Sequence, residues 1–288
     1  MQIHGTTRIA GVWGWPVGHS LSPVMHNAAF QALKMDWCYV PFAVAPESLA
    51  DAVRGIRALG IAGVNATIPH KQPLLALMDE LDASALAVGA VNTIRNTEGV
   101  LRGYSTDAEG FLGALRHEGF EPAGKRAVVL GAGGAARSIV TALAQAGATS
   151  IRIANRTVSR AEALAALGAA QGCPRCKALS LAPDLLRDAL SDAHLLVNTT
   201  SVGMHPHEDD PLLVPEDALH SGLTVYDLIY NPPVTRLLAA ATAHGAHAIN
   251  GMRMLVYQGA ASFRIWTGVA APVAVMEDAL RAALCSLR

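Results

Sequence analysis

A glycine-rich turn in the middle of the chain combines residue types that bind phosphate: Gly131, Ala132, Gly133, Gly134, Ala135 and Ala136. The apolar run Ala127–Leu130 predicts a buried strand before the turn, and the alanine-rich segment Ala135–Ala146 predicts a helix after it. Gly131 permits the sharp turn, Gly133 lets the backbone approach a pyrophosphate, and Ala136 lets helix and strand pack closely. The spacing predicts a dinucleotide site at the helix N-terminus. A turn of small residues in any α/β protein has the same spacing.

The segment after the next predicted strand, Ser150–Ala154, bears on which dinucleotide is bound. NAD-binding units normally carry an Asp or Glu at this strand end, which holds the ribose 2′-hydroxyl. This chain has no carboxylate there, but instead Asn155, Arg156, Thr157 and, one helical turn later, Arg160. A guanidinium binds a phosphate dianion that a carboxylate would repel. The sequence therefore predicts NADP as the cofactor.

Nicotinamide chemistry needs a general acid–base that exchanges a proton with the substrate oxygen, and Lys71 with Asp107 is the leading candidate pair. A partly desolvated lysine beside a carboxylate exchanges a proton while the carboxylate orients it and balances its charge. The alternative is a surface ion pair worth less than about 1 kcal/mol. His19, His26 and His70 are rival acid–base candidates, of which His26 is expected to be a packed or capping residue and His70 to face solvent.

Small polar residues cluster where the predicted N-terminal strands end. Hydroxyl and amide groups at the carboxyl ends of strands suit a polyhydroxylated small molecule. Each of these residues alone is equally compatible with helix capping or turn formation. Their convergence favours substrate binding by Ser20, Ser22, Asn65, Thr67 and Asn92.

The elements that must position these residues alternate between strand and helix, which indicates an α/β fold with a mostly parallel sheet. Ser22 is expected to cap a helix that has Pro23 at its first position, and 79–88 is predicted to be helical. Turn residues at 119–124 predict a domain boundary. We expect a substrate-binding domain at 1–120, completed by C-terminal helices at 251–288, and a Rossmann-like NADP-binding domain at 121–250.

Composition limits the classes of function. The chain has 288 residues, a net charge of -1 and 51% hydrophobic residues, so it can bury a full core without disulfides or metals. The near-neutral charge disfavours a nucleic-acid partner, and no apolar run reaches the length of a membrane helix. The N-terminus lacks signal-peptide features, which favours a cytoplasmic location. Cys173 and Cys176 have redox-motif spacing, but a single such pair does not complete a zinc site, so we predict a surface turn and no metal.

Short motifs along nearly the whole chain resemble those of the shikimate dehydrogenase family, in the same order. They are 16–23 (PVGHSLSP), 65–71 (NATIPHK), 90–93 (AVNT), 105–107 (STD), 131–137 (GAGGAAR), 155–157 (NRT), 198–204 (NTTSVGM), 257–260 (YQGA) and 266–268 (WTG).

The resemblance implies reversible NADP-linked reduction of 3-dehydroshikimate to shikimate, in chorismate and aromatic amino-acid biosynthesis. It implies that Lys71 is the catalytic acid–base and Asp107 its partner, and that Tyr230 and Gln258 join the substrate ligands. It adds Leu228 and Gly251 to the cofactor site.

Two alternatives remain at this stage. A quinate/shikimate dehydrogenase of relaxed specificity is disfavoured because both Ser20 and Ser22 are present, and quinate-preferring relatives often change the second serine. A non-catalytic NADP-binding sensor is disfavoured because a pure binding protein has no need for Lys71 together with Asp107. The sequence does not decide the oligomeric state, and a homodimer stays open.

Overall fold

The computed structural model of the chain describes residues 2–286. They divide into two compact units. The first unit contains the residues up to Gly110 together with those from Leu255 onward, and the second spans Phe111–Met254. The predicted α/β fold with two domains is confirmed.

The first unit is built around a six-stranded mixed sheet with the order β2-β1-β3-β5-β6-β4. All strand pairs are parallel except those of β5 with its two neighbours. The strands are β1 (Arg8–Gly14), β2 (Trp37–Ala43), β3 (Gly63–Ala66), β4 (Glu80–Leu81), β5 (Thr93–Thr97) and β6 (Val100–Tyr104). The helices are α1 (Ser22–Ala32), α2 (Leu49–Ala58), α3 (Ala83–Val88) and α10 (Val273–Ser286). Two further helices, α4 (Asp107–His117) and α9 (Met252–Thr267), contain the points at which the chain passes between units.

The spacing of apolar residues explains how these elements cover the sheet. Leu49, Val53 and Ile56 recur on one face of α2 and are at most 5% exposed. They join a buried cluster that includes Val64 of β3 and Ile94 of β5. The predicted amphipathic helix thus supplies one side of the first unit's core.

The predicted helix at 79–88 is wrong in its first turn. Residues 80–81 form the short strand β4, and the helix begins only at Ala83. Asp82 is the extended N-cap and accepts a hydrogen bond from the backbone N–H of Ser84. Asp79 accepts one from Leu101 N–H and pairs with Arg57. Asp82 thus caps α3, and Asp79 is held by residues of β6 and α2. These contacts override the apolar pattern that predicted a helix from residue 79.

The second unit is a six-stranded, fully parallel sheet with the order β12-β11-β10-β7-β8-β9. The strands are β7 (Arg126–Leu130), β8 (Ser150–Ala154), β9 (Cys176–Leu179), β10 (Leu195–Asn198), β11 (Thr224–Asp227) and β12 (His247–Asn250). The intervening helices are α5 (Gly134–Gln145), α6 (Val158–Ala170), α7 (Pro183–Ser191) and α8 (Arg236–Ala243). Counted from β7, this is the doubly wound dinucleotide-binding order, and the strand order reverses between β7 and β10.

The cysteine pair lies in a turn before β9, in which Cys176 N–H donates to the carbonyl of Cys173. The turn was predicted, but its placement at the surface was wrong for Cys173, which is fully buried. Burial raises the pKa of the Cys176 thiol to about 12, so this thiol is poorly nucleophilic at neutral pH.

Within residues 2–286, none of the helices combines the length and hydrophobicity needed to cross a bilayer.

Candidate active site

Lys71 and Asp107 form an ion pair in the first unit, with 2.7 Å between Lys71 Nζ and Asp107 Oδ2. Asp107 is the first residue of α4, and Lys71 follows the loop that leaves β3. The side chain of Asp107 is 9% exposed and that of Lys71 is 22% exposed. The pair is therefore largely withdrawn from water, with the lysine side chain the more exposed of the two, and it differs from the exposed ion pairs that contribute little.

Two of the histidine rivals, His26 and His70, are placed unfavourably for proton transfer. His26 is fully buried, and burial lowers its pKa to about 3, so it stays neutral over the physiological range. Its ring stacks on Tyr39 with 4.3 Å between centroids, which agrees with the expected packed role. The expectation that His70 faces solvent was wrong: it is 1% exposed, and its Nε2 lies 2.8 Å from the Val44 carbonyl. The hydrogen bond requires His70 to fold inward. His19 is exposed.

Asn92 ties the acid–base pair to the sheet. Its amide nitrogen donates to Asp107 Oδ1 at 2.8 Å and to Thr106 Oγ1 at 2.9 Å. Its carbonyl oxygen accepts the backbone N–H of Thr106 at 2.8 Å. Both carboxylate oxygens of Asp107 therefore have a donor, one from Lys71 and one from Asn92, and this fixes the rotamer of the carboxylate.

Asn65 is the centre of a second set of buried hydrogen bonds. Its carbonyl oxygen accepts from the hydroxyl of Tyr39 at 2.8 Å. Its amide nitrogen lies 2.9 Å from Ser262 Oγ and 3.0 Å from Thr93 Oγ1. Ser262 lies on α9 and also donates to the carbonyl of Gln258 at 3.0 Å. Asn65 thus anchors the helix that carries Gln258. Sequence reasoning missed Ser262, although it lies one helical turn after Gln258.

The remaining predicted substrate ligands of the first unit lie around the strand ends. Thr67 follows β3 and lies beside Gly14. A Cβ on Gly14 would lie 2.6 Å from the Thr67 methyl carbon. Ser20 is half-buried, and its Oγ lies 3.4 Å from Ser22 N. Ser22 was expected to cap α1, but the cap is Leu21 and Ser22 is the first helical residue. Ser22 makes no side-chain capping bond, and its hydroxyl faces the hydroxyl of Tyr39 instead.

Gln258 lies on α9 against α4. A Cβ on Gly110 would come within 2.7 Å of Gln258 N and Cβ, so only glycine admits this contact. The amide nitrogen of Gln258 donates to the Leu255 carbonyl at 2.9 Å.

The glycine-rich turn of the second unit joins β7 to α5 at the strand-order reversal. Gly131 has a φ of +101°, and a Cβ there would lie 2.6 Å from Thr199 Oγ1. Gly133 is the N-cap of α5, which has no side-chain cap. Gly133 and Gly134 are exposed and face open space, since a Cβ on either would meet nothing within 4 Å. The uncapped N–H groups and the clear approach fit a pyrophosphate.

The predicted 2′-phosphate residues follow β8, which spans Ser150–Ala154 as expected. Asn155 donates from its side chain to the Thr157 carbonyl, and Thr157 is the N-cap of α6. Arg156 and Arg160 are exposed, and neither guanidinium has a protein partner within the described residues. Two unpaired guanidiniums beside a helix start fit a phosphate monoester.

Asp227, at the carboxyl end of β11, holds the loop that carries Leu228 and Tyr230. Its carboxylate accepts hydrogen bonds from Asn198 Nδ2 at 3.0 Å, the N–H of Ile229 at 3.1 Å and the hydroxyl of Thr235 at 2.7 Å. Burial raises the pKa of Asp227 to about 6, although the three hydrogen bonds oppose the shift. Sequence reasoning did not select Asp227, but its position at a strand's carboxyl end was a usable signal.

Gly251 lets two backbone segments of the same region lie close together. A Cβ at this position would lie 1.9 Å from the Leu228 carbonyl oxygen. The backbone N–H of Gly251 donates to the Ile229 carbonyl at 3.0 Å. Any side chain at position 251 would therefore displace Leu228. Tyr230 is half-buried in this loop.

No group of His, Cys, Asp and Glu residues within 2–286 has the arrangement of a metal site.

Comparison with known proteins decides the family. Residues 12–94 match the model of the shikimate dehydrogenase substrate binding domain, 114–204 that of shikimate / quinate 5-dehydrogenase, and 251–281 that of the shikimate 5'-dehydrogenase C-terminal domain. The chain is 51% identical over 281 residues to the shikimate dehydrogenase (NADP(+)) of Methanopyrus kandleri, covering 97% of each chain. The chain belongs to the shikimate dehydrogenase family.

Solved structures agree with the family in fold. A shikimate dehydrogenase crystallised with NADP+ is 41% identical, with a TM-score of 0.91 and coverage of 98% of each chain. Shikimate 5-dehydrogenase from Listeria monocytogenes, crystallised with shikimate and NAD, is 37% identical, with a TM-score of 0.92 and coverage of 97% of this chain and 98% of that one. Both of these family members are thus matched over nearly their whole length.

Proposed function

We propose that the chain is an NADP-dependent shikimate dehydrogenase that reversibly reduces the ketone of 3-dehydroshikimate to the hydroxyl of shikimate, in chorismate and aromatic amino-acid biosynthesis. The observation that carries the proposal is the Lys71–Asp107 pair, 2.7 Å apart and linked through Asn92 to the sheet, in a chain that belongs to this family.

Lys71 is the general acid in the reductive direction. Its ammonium donates a proton to the carbonyl oxygen as negative charge develops there, and the resulting amine regains a proton through its exposed side. Asp107 accepts a hydrogen bond from Nζ, aims the ammonium and stabilises its charged form. In the oxidative direction the neutral amine accepts the proton from the substrate hydroxyl. The nicotinamide cofactor, when bound, supplies or accepts the hydride at the substrate carbon.

Hydroxyl and amide groups bind the ring substituents and the carboxylate of the substrate. The geometry favours direct contacts by residues that keep hydrogen-bonding capacity, and we assign Ser20, Ser22, Thr67 and Gln258 to this role, with Tyr230 added on the family resemblance. Asn92 and Asn65 are nearly saturated by protein partners. We expect them to order the site, with Asn92 as the one that exchanges a partner for substrate.

The second unit binds NADP through two features. The backbone of the turn formed by Gly131, Ala132, Gly133, Gly134 and Ala135 holds the pyrophosphate at the start of α5. Asn155, Arg156, Thr157 and Arg160 bind the ribose phosphate, and Leu228 and Gly251 line the nicotinamide end.

A direct assay tests the proposal. Purified chain is mixed with NADP and shikimate, and reduced cofactor is followed by absorbance, with quinate and with NAD as parallel substitutions. Turnover of shikimate with NADP that exceeds the other combinations supports the proposal. Equal turnover of quinate favours the relaxed-specificity alternative. Cofactor binding without turnover of either acid favours the sensor.

Two features stay predictions within this proposal. They are the cytoplasmic location and the assembly state, for which a homodimer stays open. Sedimentation of the purified chain tests the assembly state.

A further inference from the structure

The arginines of the first unit differ in how they are paired. Of those described, five form an ion pair with a carboxylate: Arg54, Arg57, Arg102, Arg264 and Arg281. Arg8 and Arg95 are the two that do not. Arg8 has only a stacking contact, and Arg95 has no polar partner within residues 2–286. In the second unit, the two guanidiniums at the proposed phosphate site, those of Arg156 and Arg160, likewise have no protein partner within the described residues.

Arg8 and Arg95 line one surface pocket with a volume of about 330 Å³. Its other lining residues are Asn96, Thr97, Glu98, Trp266, Thr267 and Gly268. Pockets that hold small molecules start near this size, at about 300 Å³. Arg8, Arg95 and Glu98 are the charged residues of the lining, so the lining has an excess of one positive charge.

The two arginines reach the pocket because of the sheet register. Arg95 lies opposite Gly63, and Gly63 lies opposite Ala10, two residues after Arg8 in β1. Side chains at these positions point to the same face. Gly63 has no side chain, and the ring of Trp266 occupies the space, 2.2 Å from where a Cβ would be. The indole N–H of Trp266 donates to the Ile94 carbonyl at 2.9 Å, which fixes the pocket floor.

Arg8 is held in place before any ligand arrives. Its guanidinium carbon lies 4.5 Å from the centroid of the Trp37 ring, a stacking that leaves the N–H edges of the fork available. A pre-positioned guanidinium loses less side-chain entropy when it binds an anion.

We propose that this pocket is a binding site for a small organic anion, carrying a carboxylate or phosphate group that bridges Arg8 and Arg95. The hydroxyl of Thr97 supplies a neutral hydrogen bond to the rest of the molecule, whereas that of Thr267 already donates to the Phe263 carbonyl at 2.8 Å. The site is separate from the acid–base pair. Arg8 begins β1, whereas Ser20 and Ser22 follow its end, and seven residues of strand span about 20 Å.

Calorimetric titration of the chain without substrate or cofactor tests the proposal, with inorganic phosphate, malonate and citrate as probes at low ionic strength. The variants are Arg95→Gln and the double change Arg8→Gln with Arg95→Gln. Arg54→Gln is the matched control, because it removes the same charge from an exposed pair of the same unit. Arg156→Gln shows whether a probe binds at the proposed cofactor site instead.

We expect at least one probe to bind with a Kd below about 1 mM, the double variant to weaken it by at least roughly tenfold, and Arg54→Gln and Arg156→Gln to leave it unchanged. Arg95 has no polar partner to lose, so Arg95→Gln keeps the test valid if the double variant melts early. Absence of binding by all three probes up to about 10 mM overturns the proposal. So does unchanged affinity in the folded arginine variants, or loss confined to Arg156→Gln.

Discussion

The two units place their functional groups in opposite ways. In the first unit, Asn65, Asn92 and Asp107 are buried, and nearly every donor and acceptor is matched within the protein. In the second unit, Gly133, Gly134 and Arg156 are exposed, and the Arg156 guanidinium has no partner among the described residues. The contrast shows two ways to pre-organise a site: by saturating hydrogen bonds around a reactive pair, or by leaving backbone N–H groups and guanidiniums unsatisfied for an anion.

The strongest test of the first arrangement removes the reactive member. Lys71→Ala is expected to lower kcat by about 10²- to 10⁴-fold with little change in KM, because a general acid acts mainly in the transition state. Steady-state kinetics with shikimate measure this, and Lys177→Ala, which changes an exposed lysine on β9, is the control. A loss confined to KM would assign Lys71 to binding and break the comparison.

The variant Asp227→Asn tests whether burial of the Asp227 carboxylate in the second unit costs a measurable part of the free energy of unfolding. Its folded-state pKa, about 6, lies above its ordinary value of 3.8, so the folded protein holds this proton more tightly. That contribution to stability is fully present below pH 3.8 and lost as pH rises through about 6. We expect wild type to lose about 3 kcal/mol relative to Asp227→Asn across that window.

Urea unfolding of both proteins at several pH values measures the difference. Because His26 is present in both, its opposite pH dependence cancels. A wild-type-minus-variant difference that does not change with pH would show that Asp227 is not destabilised by burial.

Arg156→Gln tests the open arrangement. We expect the KM for NADP to rise roughly tenfold while the KM for shikimate stays unchanged, since one charge-assisted contact is lost. Arg175→Gln, at an exposed arginine before β9, is the matched control. If both variants behave alike, the 2′-phosphate is bound elsewhere.

Ser262→Ala gives the smallest expected effect. It tests whether the matched hydrogen bonds around Asn65 extend to Ser262 of α9. Removing the buried hydroxyl leaves Asn65 and Thr93 short of a partner, which is expected to cost about 1–2 kcal/mol of unfolding free energy. It should also raise the KM for shikimate through Gln258, with kcat nearly kept. Ser286→Ala is the control, because Ser286 makes the same bond to a carbonyl four residues earlier, at an exposed position of α10. Equal effects of the two changes would show that Ser262 has only a local helical role.

Local pattern was enough to predict most strands and the turns that follow them. β8 was predicted at its observed bounds, and the glycine turn was identified from its spacing, because both depend on neighbouring residues. The hydrogen-bond and ion-pair partners of individual side chains were harder to predict. His70 is drawn inward by the Val44 carbonyl, and Asp79 by Leu101 and Arg57, which are contacts between distant segments. Ser262 is 197 residues from Asn65, and no periodicity in one sequence reports such a contact.

The ring of Trp266 over Gly63 has a consequence for how the polypeptide is made. The second unit is one continuous stretch, so a ribosome delivers all of it before the last helices emerge. The first unit begins earlier but lacks the indole that covers its sheet until residue 266 has been synthesised. We therefore expect the later-starting unit to finish folding first, and the nascent N-terminal sheet to wait, incomplete, for the end of translation.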